Sequence, residues 1–490
     1  MLLSAITQYA SSDLSLVALK TEAQSFTYRE LNSQVVDLAK TIAKYGDQAR
    51  LAVAINNTAA WVVLDLAAME LGMPSVPLPA FFSNDQLHHA VLDSGANVLI
   101  TDTPQRFEAI FSKLIKKSER IKVCGEFYSL LHLDTVEVTL PNGTVKITYT
   151  SGTTGNPKGV CLSKDAMLSV ANAIKDTVAI TPLDQHLCIL PLSTLLENVA
   201  GIYATLLGGG CVHLYRSEKV GLNGSQLDIM LLHQALATSQ ASTAILIPEL
   251  LKALVLYHGT GAHPLDKLRF LAVGGAHVAT QLLNRAKHIG LPVYQGYGLS
   301  ESASVVSLNT PTDNLIGSVG KPLPHISVKL SDDNEILVKG ANFLGYTHAT
   351  EILEEGYLNT GDIGYFDDNG FLHISGRKKN IFITSYGRNV SPEWVETELT
   401  QAGTILQACL FGEAKPFNTA ILVTKPNNDA KDLEAEIAQV NAKLPDYAQV
   451  SKWLIADAPF STANNQLTAN GRLKRDEIWQ AYQDKINTIY

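Results

Sequence analysis

Cysteine is scarce and scattered. The chain has 490 residues and 5 cysteines, Cys124, Cys161, Cys188, Cys211 and Cys409, with no CxxC pair. An odd number at wide spacing argues against a disulfide framework and against a Cys-type zinc site. Reduced, buried thiols in a cytoplasmic protein are expected instead. Charge is also sparse: charged residues make up 17%, the formal net charge is −9, and there is no basic tract. Nucleic-acid binding through phosphate contacts is therefore not expected. Long apolar runs are missing. The best stretch, Ala60 to Leu78, is interrupted by Asp65, Glu70, Pro74 and Pro77, so no membrane span is expected. The opening MLLSAITQYASSD lacks a basic segment and a long apolar one, so no secretory signal is expected. The 13 histidines contain no HExxH and no close ligand set, so no transition metal is assigned. His88-His89 reads as a helix surface.

What is present is core-forming material. Hydrophobic residues are 46% of the chain, enough for a large interior. At about 150 residues per domain the length suggests two to four domains. Short apolar segments alternate with helical ones. Arg50 to Ile55, Ser75 to Leu78, Asn97 to Thr101, His186 to Leu190, Ser242 to Ile247 and Leu268 to Val273 read as buried strands. Ala59 to Leu71 reads as a helix. The pattern predicts an α/β fold with largely parallel sheets covered on both faces. Beyond about residue 315 the texture changes. Ser327 to Leu330, Glu335 to Val338, Tyr365 to Asp367 and Phe371 to Ile374 are short strands, and Asp367-Asp368-Asn369-Gly370 is a hairpin signal. Gly376-Arg377-Lys378-Lys379-Asn380 is a polar break. Ser391-Pro392 opens a helix through Leu399, with Ser391 as N-cap. The boundary falls near Lys379, giving domains 1–377 and 378–490.

The most informative stretch runs from Thr148 to Gly159, TYTSGTTGNPKG. Its glycines let backbone N–H groups turn toward an anion, its hydroxyls add donors, and Lys158 adds positive charge. It is not a Walker A loop, because Pro157 and Gly159 flank Lys158.

The loop resembles the [YT]TSGTTGxPKG signature of the adenylate-forming (AMP-binding) superfamily, which includes acyl-CoA synthetases and firefly luciferase. Further motifs of that family follow in order. The resemblance implies a large N-terminal body of several α/β and β subdomains and a small mobile C-terminal α+β domain. It implies that Thr150, Ser151, Gly152, Thr153, Thr154, Gly155 and Lys158 bind the phosphates of ATP. Gly274-Gly275-Ala276 looks like the adenine-binding turn. In Gln295-Gly296-Tyr297-Gly298-Leu299-Ser300-Glu301, Tyr297 would stack on adenine, Ser300 would touch the α-phosphate, and Glu301 would help hold Mg²⁺, a hard ion that takes oxygen ligands. In Tyr357-Leu358-Asn359-Thr360-Gly361-Asp362, Asp362 would accept both ribose hydroxyls. Arg377 would also reach the ribose, and Lys379 would be the hinge. His277 would merely line the pocket. SFTYRELN (Ser25 to Asn32) and Val76-Pro77-Leu78 also look like the family.

The implied reaction activates a carboxylic acid as an acyl-adenylate and passes it to a thiol after domain rotation. Two departures stand out. The family's C-terminal lysine position is occupied by Arg472, with Lys474 two residues on, on the same face if the segment is extended. Either could supply the cation. In Leu190-Pro191-Leu192-Ser193-Thr194-Leu195-Leu196-Glu197, Thr194 stands where many relatives carry histidine. Thr194, Leu195 and Leu196 are the expected acyl pocket. No aspartate pairs an α-ammonium there, which favours a medium- to long-chain fatty acid, with an aryl acid as runner-up. Ile383 to Pro392 resembles the TSxGxNVxP of long-chain acyl activators, and Gly387 would line a pantetheine tunnel. The acceptor is coenzyme A or the phosphopantetheine of an acyl carrier protein. A monomer or homodimer is expected.

Overall fold

The computed structural model describes residues 1–150, 157–223, 226–261, 264–350, 353–401, 403–426, 430–468 and 471–490. Among them, two nine-stranded sheets build the N-terminal body. In the first, Val293–Leu299, Phe270–Val273, Thr243–Leu246, Gln185–Cys188, Cys211–Leu214 and Val17–Lys20 run parallel. In the second, Thr144–Thr150, Ser75–Pro77, Leu51–Ala54 and Val98–Thr101 are parallel. Antiparallel strands Lys158–Ser163 and Glu126–Leu133 flank them. Each apolar segment expected as a strand contains one. The bounds differ by at most two residues, and the strand expected from His186 starts at Gln185.

The helix Ala59–Leu71 shows how the sequence specifies its place. Thr58 caps it by accepting from the Trp61 N–H, and Gly72 ends it at φ 66°. Almost every residue is buried, as expected of a helix that is apolar all round. It packs on the second sheet on one side and on the helix Tyr28–Ile42 on the other. One apolar cluster joins residues from both sheets and these helices.

The region beyond 315 forms a four-stranded antiparallel sheet from Ser327–Leu330, Glu335–Lys339, Leu358–Phe366 and Leu372–Arg377. The last two strands are longer than the sequence suggested. They run through Thr360-Gly361-Asp362 and Gly376-Arg377, because pairing across the hairpin supplies order that local composition does not announce. The Asp367 to Gly370 turn is as expected: Asp367 N–H donates to Phe371 O and Gly370 N–H to Asp367 O, both at 3.0 Å.

The C-terminal domain is α+β. Strands Ile405–Phe411, Asn418–Thr424 and Val450–Ile455 form a sheet, with helices Pro392–Leu399, Ala430–Asn441 and Arg475–Asn487 around it. Ser391 occupies the N-cap position, but its hydroxyl makes no capping bond. It lies 3.4 Å from Glu393 Oε2 instead. All five cysteines are free and buried. Among the described residues no helix is long and apolar enough to cross a membrane.

Candidate functional site

The conspicuous turns lie where parallel strands end, the usual place for ligands in α/β sheets. Thr144–Thr150 ends at Thr150, the start of the expected phosphate loop. Ser151, Gly152, Thr153, Thr154 and Gly155 lie outside the described residues. The loop's two flanks are held by one helix, Asn84–Ser94. Asp93 Oδ2 accepts from Tyr149 OH at 2.7 Å and from Thr347 Oγ1 at 2.6 Å. His89 Nε2 lies 3.0 Å from Pro157 O. His89 is therefore more than helix surface, a correction to the sequence reading, whereas His88 is exposed and stacks on Phe111. Neither anchor was singled out from the sequence, because both bonds join segments at least 56 residues apart.

Beyond the loop, Lys158 opens the strand Lys158–Ser163, and Tyr346 pairs with Val160 on its edge. The Lys158 ammonium sits over the Tyr346 ring at 5.3 Å. Tyr346 OH donates to Glu301 Oε1 at 3.0 Å. Lys158 and Glu301 thus share one aromatic neighbour although 143 positions separate them in sequence.

Phe270–Val273 runs into Gly274-Gly275-Ala276, with Gly275 at φ 87°. The neighbouring strand Val293–Leu299 delivers Gln295, Gly296, Tyr297 and Gly298. Gly298 cannot be another residue without backbone movement: an added Cβ would lie 1.7 Å from Ser304 O. Ser300 and Glu301 follow in a short 3₁₀ turn. Ala303 and Ser304 then both adopt positive φ, 54° and 119°. Two such non-glycine residues in succession concentrate backbone strain beside Glu301, a common mark of a functional turn.

Tyr297 OH donates to Asp362 Oδ2 at 2.6 Å, and Arg377 Nε pairs with Asp362 Oδ1 at 2.8 Å. Arg377 also donates to Thr360 O at 3.0 Å. Antiparallel pairing of Asp362 with Arg377 brings these two together. Burial raises the Asp362 pKa above the ordinary carboxylate value, while Arg377, the Tyr297 hydroxyl and Arg472 oppose that rise. Each carboxylate oxygen retains a lone pair for a further donor.

The C-terminal domain contributes Arg472. Thr468 N–H donates to Arg472 O at 2.8 Å, Gly471 N–H to Thr468 O at 2.9 Å, and Arg472 N–H to Thr468 Oγ1 at 3.0 Å. Arg472 is exposed; partial desolvation and then Arg377 push its pKa down, while Asp362 and Glu301 pull it up. Lys379 is pushed down by burial and then by Arg377, Arg472 and Lys158, with Glu393 opposing. Arg377, Arg472 and Lys158 are thus near enough to act on the Lys379 charge, and Arg377 on that of Arg472. Lys474 does not join them. Leu473, between Arg472 and Lys474, bridges to Leu467, and Lys474 Nζ donates to Asn465 Oδ1 at 2.5 Å.

The remaining expected residues fall into two groups. Thr194 is folded back, its hydroxyl donating to Pro191 O at 2.6 Å. Leu195 is core, whereas Leu196 lies between the two large apolar clusters. Gly387, at φ 70°, sits exposed at the tip of the hairpin Phe382–Ile383 and Asn389–Val390, away from the residues above.

Two buried networks under the site were not read from sequence. Glu197 is fully buried. Its Oε1 lies 2.8 Å from His186 Nε2, and its Oε2 accepts from Leu190 N–H at 2.9 Å. Lys146, in the strand leading to the loop, contacts Asp65 at 2.8 Å and Tyr203 OH at 2.8 Å, all in the interior. A lysine inside VKITY and an aspartate inside an apolar helix were the available signals.

Comparison with known proteins fits this geometry. The family model for AMP-binding enzymes matches residues 7–346, and the model for the AMP-binding enzyme C-terminal domain matches 379–490. A long-chain-fatty-acid–CoA ligase of Mycobacterium bovis is 26% identical, over 88% of this chain and 86% of its own. A 2-succinylbenzoate–CoA ligase of Listeria monocytogenes is 27% identical, over 92% and 95%. The structure of O-succinylbenzoate coenzyme A synthetase from Bacillus subtilis, solved with ATP and magnesium ion, superposes with a TM-score of 0.77 at 25% identity, over 96% and 98%.

Proposed function

Because this chain belongs to the AMP-binding enzyme family and is an adenylate-forming acid–CoA ligase, we propose that it activates a medium- to long-chain fatty acid with ATP and passes the acyl group to coenzyme A. The observation that carries the nucleotide part is the geometry around Asp362 and Glu301: Arg377 Nε and Tyr297 OH hold the two Asp362 oxygens, and Tyr346 lies between Lys158 and Glu301. Such a set suits a polyanion bearing a ribose.

In the first half-reaction an acid oxygen attacks the α-phosphorus. The P–O bond to the β-phosphate breaks, and pyrophosphate leaves. Lys158 and Arg472 offset the charge gathering at the α-phosphate, and Asp362 orients the ribose. Ser300 donates to an α-phosphate oxygen. Glu301 keeps Oε2 for Mg²⁺, which fits an ion that shares oxygen ligands with phosphates. When bound, Mg²⁺ supplies positive charge to the phosphate oxygens. The C-terminal domain then turns about Lys379, withdrawing Arg472 and bringing Gly387 inward. The thiol attacks the acyl carbon, AMP leaves with the mixed-anhydride oxygen, and the thiol proton passes to solvent.

The acid's class rests on Glu197. Both its oxygens are engaged in the interior, so it offers no free carboxylate to an α-ammonium. An aryl acid is the second reading, favoured by the 2-succinylbenzoate–CoA ligase relative, which aligns over more of both chains. ATP–pyrophosphate exchange across fatty and aryl acids tests the assignment, followed by mass spectrometry of the product with coenzyme A and with a carrier protein. Exchange supported by aryl acids alone overturns the fatty-acid reading. Transfer to the carrier protein alone overturns the acceptor.

A further inference from the structure

A second cavity, of about 820 Å³, lies between the body and the C-terminal domain, and none of its lining residues belongs to the nucleotide site. One wall comes from the helices Pro248–His258 and Thr280–His288, the other from Pro392–Leu399 and the Lys443-Leu444 turn. Val255, Leu256, Ile289, Trp394 and Leu444 make it apolar. Leu256 is 58% exposed, unusual for a leucine facing another domain. Lys252 crosses the gap and donates to Thr400 O at 2.8 Å.

The cavity is also cationic. Arg285, His288 and Lys443 line it. Lys252 is close enough to Arg285 and Lys425 for both to act on its charge. Glu398 and Glu249 are the carboxylates at hand. Among the lining residues Arg285 and Lys443 set against Glu398 leave a net charge of +1, with His288 neutral. Basic residues in the last turn of Thr280–His288 complement that helix's dipole. That accounts for Arg285; on the facing domain Lys443 is close enough to Glu398 to act on its charge. An apolar trough with a cation on each wall, Arg285 and Lys443, matches an alkyl chain ending in a phosphate monoester, whose three oxygens can accept from both.

We propose that this cleft binds an amphipathic alkyl phosphate, and that the bound ligand holds the C-terminal domain in the orientation seen here. The two walls belong to different domains. A ligand touching both therefore favours the arrangement that brings them together. The regulatory part rests on the reading that this orientation serves adenylation and another serves transfer. The ligand then spares the first half-reaction and slows the second.

Decyl phosphate below its micellar concentration is the probe, because it has no carboxyl group to be activated. With the full-length protein, saturable quenching of Trp394 fluorescence is expected, absent in Trp394→Phe. At saturation thioester formation should fall about tenfold while ATP–pyrophosphate exchange stays within about twofold. The double variant Arg285→Ala/Lys443→Ala should bind at least about tenfold more weakly and escape inhibition, with its uninhibited turnover unchanged. Inorganic phosphate, the head without the chain, should not quench. Inhibition of exchange that competes with the acid would place the probe in the acyl pocket and overturn the proposal. So would an affinity indifferent to the double variant. If the protein shows no exchange with any acid, the enzymatic reading fails, yet the fluorescence titration still decides the cleft.

Discussion

Arg472→Ala separates the two half-reactions. In the structure Arg377 and Lys379 are cations near enough to interact with the guanidinium, as are the carboxylates of Asp362 and Glu301. The guanidinium stays charged in that setting, and the hydrogen bonds that hold its turn are made by its backbone. Its removal should therefore leave folding nearly untouched and act on the transition state. Losing one preorganised donor at a site of developing charge costs about 2.7–4 kcal/mol, or about 10²–10³ in rate. ATP–pyrophosphate exchange should fall by that factor. Thioester formation from acyl-adenylate supplied ready-made should change by less than about twofold, since the rotated domain no longer presents this residue. Arg472→Lys keeps the charge but loses the planar fork, and an intermediate loss of about tenfold is expected. Lys474→Ala, which removes only a bond to Asn465, should keep full exchange. Full exchange in Arg472→Ala, or an equal loss in both half-reactions, refutes the argument.

Other consequences concern stability and the site's frame. Burial and nearby Lys20 and His186 push the His213 pKa down to about 4. This group is neutral in the fold but protonates near 6.5 when unfolded, so its contribution is present above about pH 6.5 and is lost as pH falls toward 4. The shift corresponds to about 3 kcal/mol, and His213→Gln should flatten that part of the stability–pH curve in urea titrations. Lys146→Met leaves Asp65 buried without its cation and should destabilise by about 3–5 kcal/mol. Lys146→Met/Asp65→Leu should recover a measurable part, as a double-mutant cycle in denaturant will show. Gly298→Ala drives a methyl into Ser304 O. It should cost about 1–3 kcal/mol or more and also weaken ATP binding by calorimetry, whereas a purely global effect would leave the affinity of the folded fraction unchanged.

The sequence by itself determined the alternation of buried strands and helices, the change of texture near residue 315, and the motifs that bear the nucleotide chemistry. These are local properties. An apolar run of four to six residues, a hairpin turn such as Asp367 to Gly370, or a loop dense in hydroxyls and glycine carries its meaning within a few positions. Tertiary structure decided what depends on contact between distant segments. Arg472 and Lys474 are equivalent cations in the sequence. The Thr468 to Arg472 turn sends one into the cluster and leaves the other on Asn465. His89 reads as helix surface in the sequence and Asp93 carries no signal there; folding brings Pro157 and Tyr149 against them. Glu197 could have met a substrate's charge, but His186 and the Leu190 N–H take both its oxygens. In each case the residue's chemistry was legible in the chain. Its partner was not, because hydrogen bonds and charges act through space over a few ångströms, and only folding sets which groups come that close.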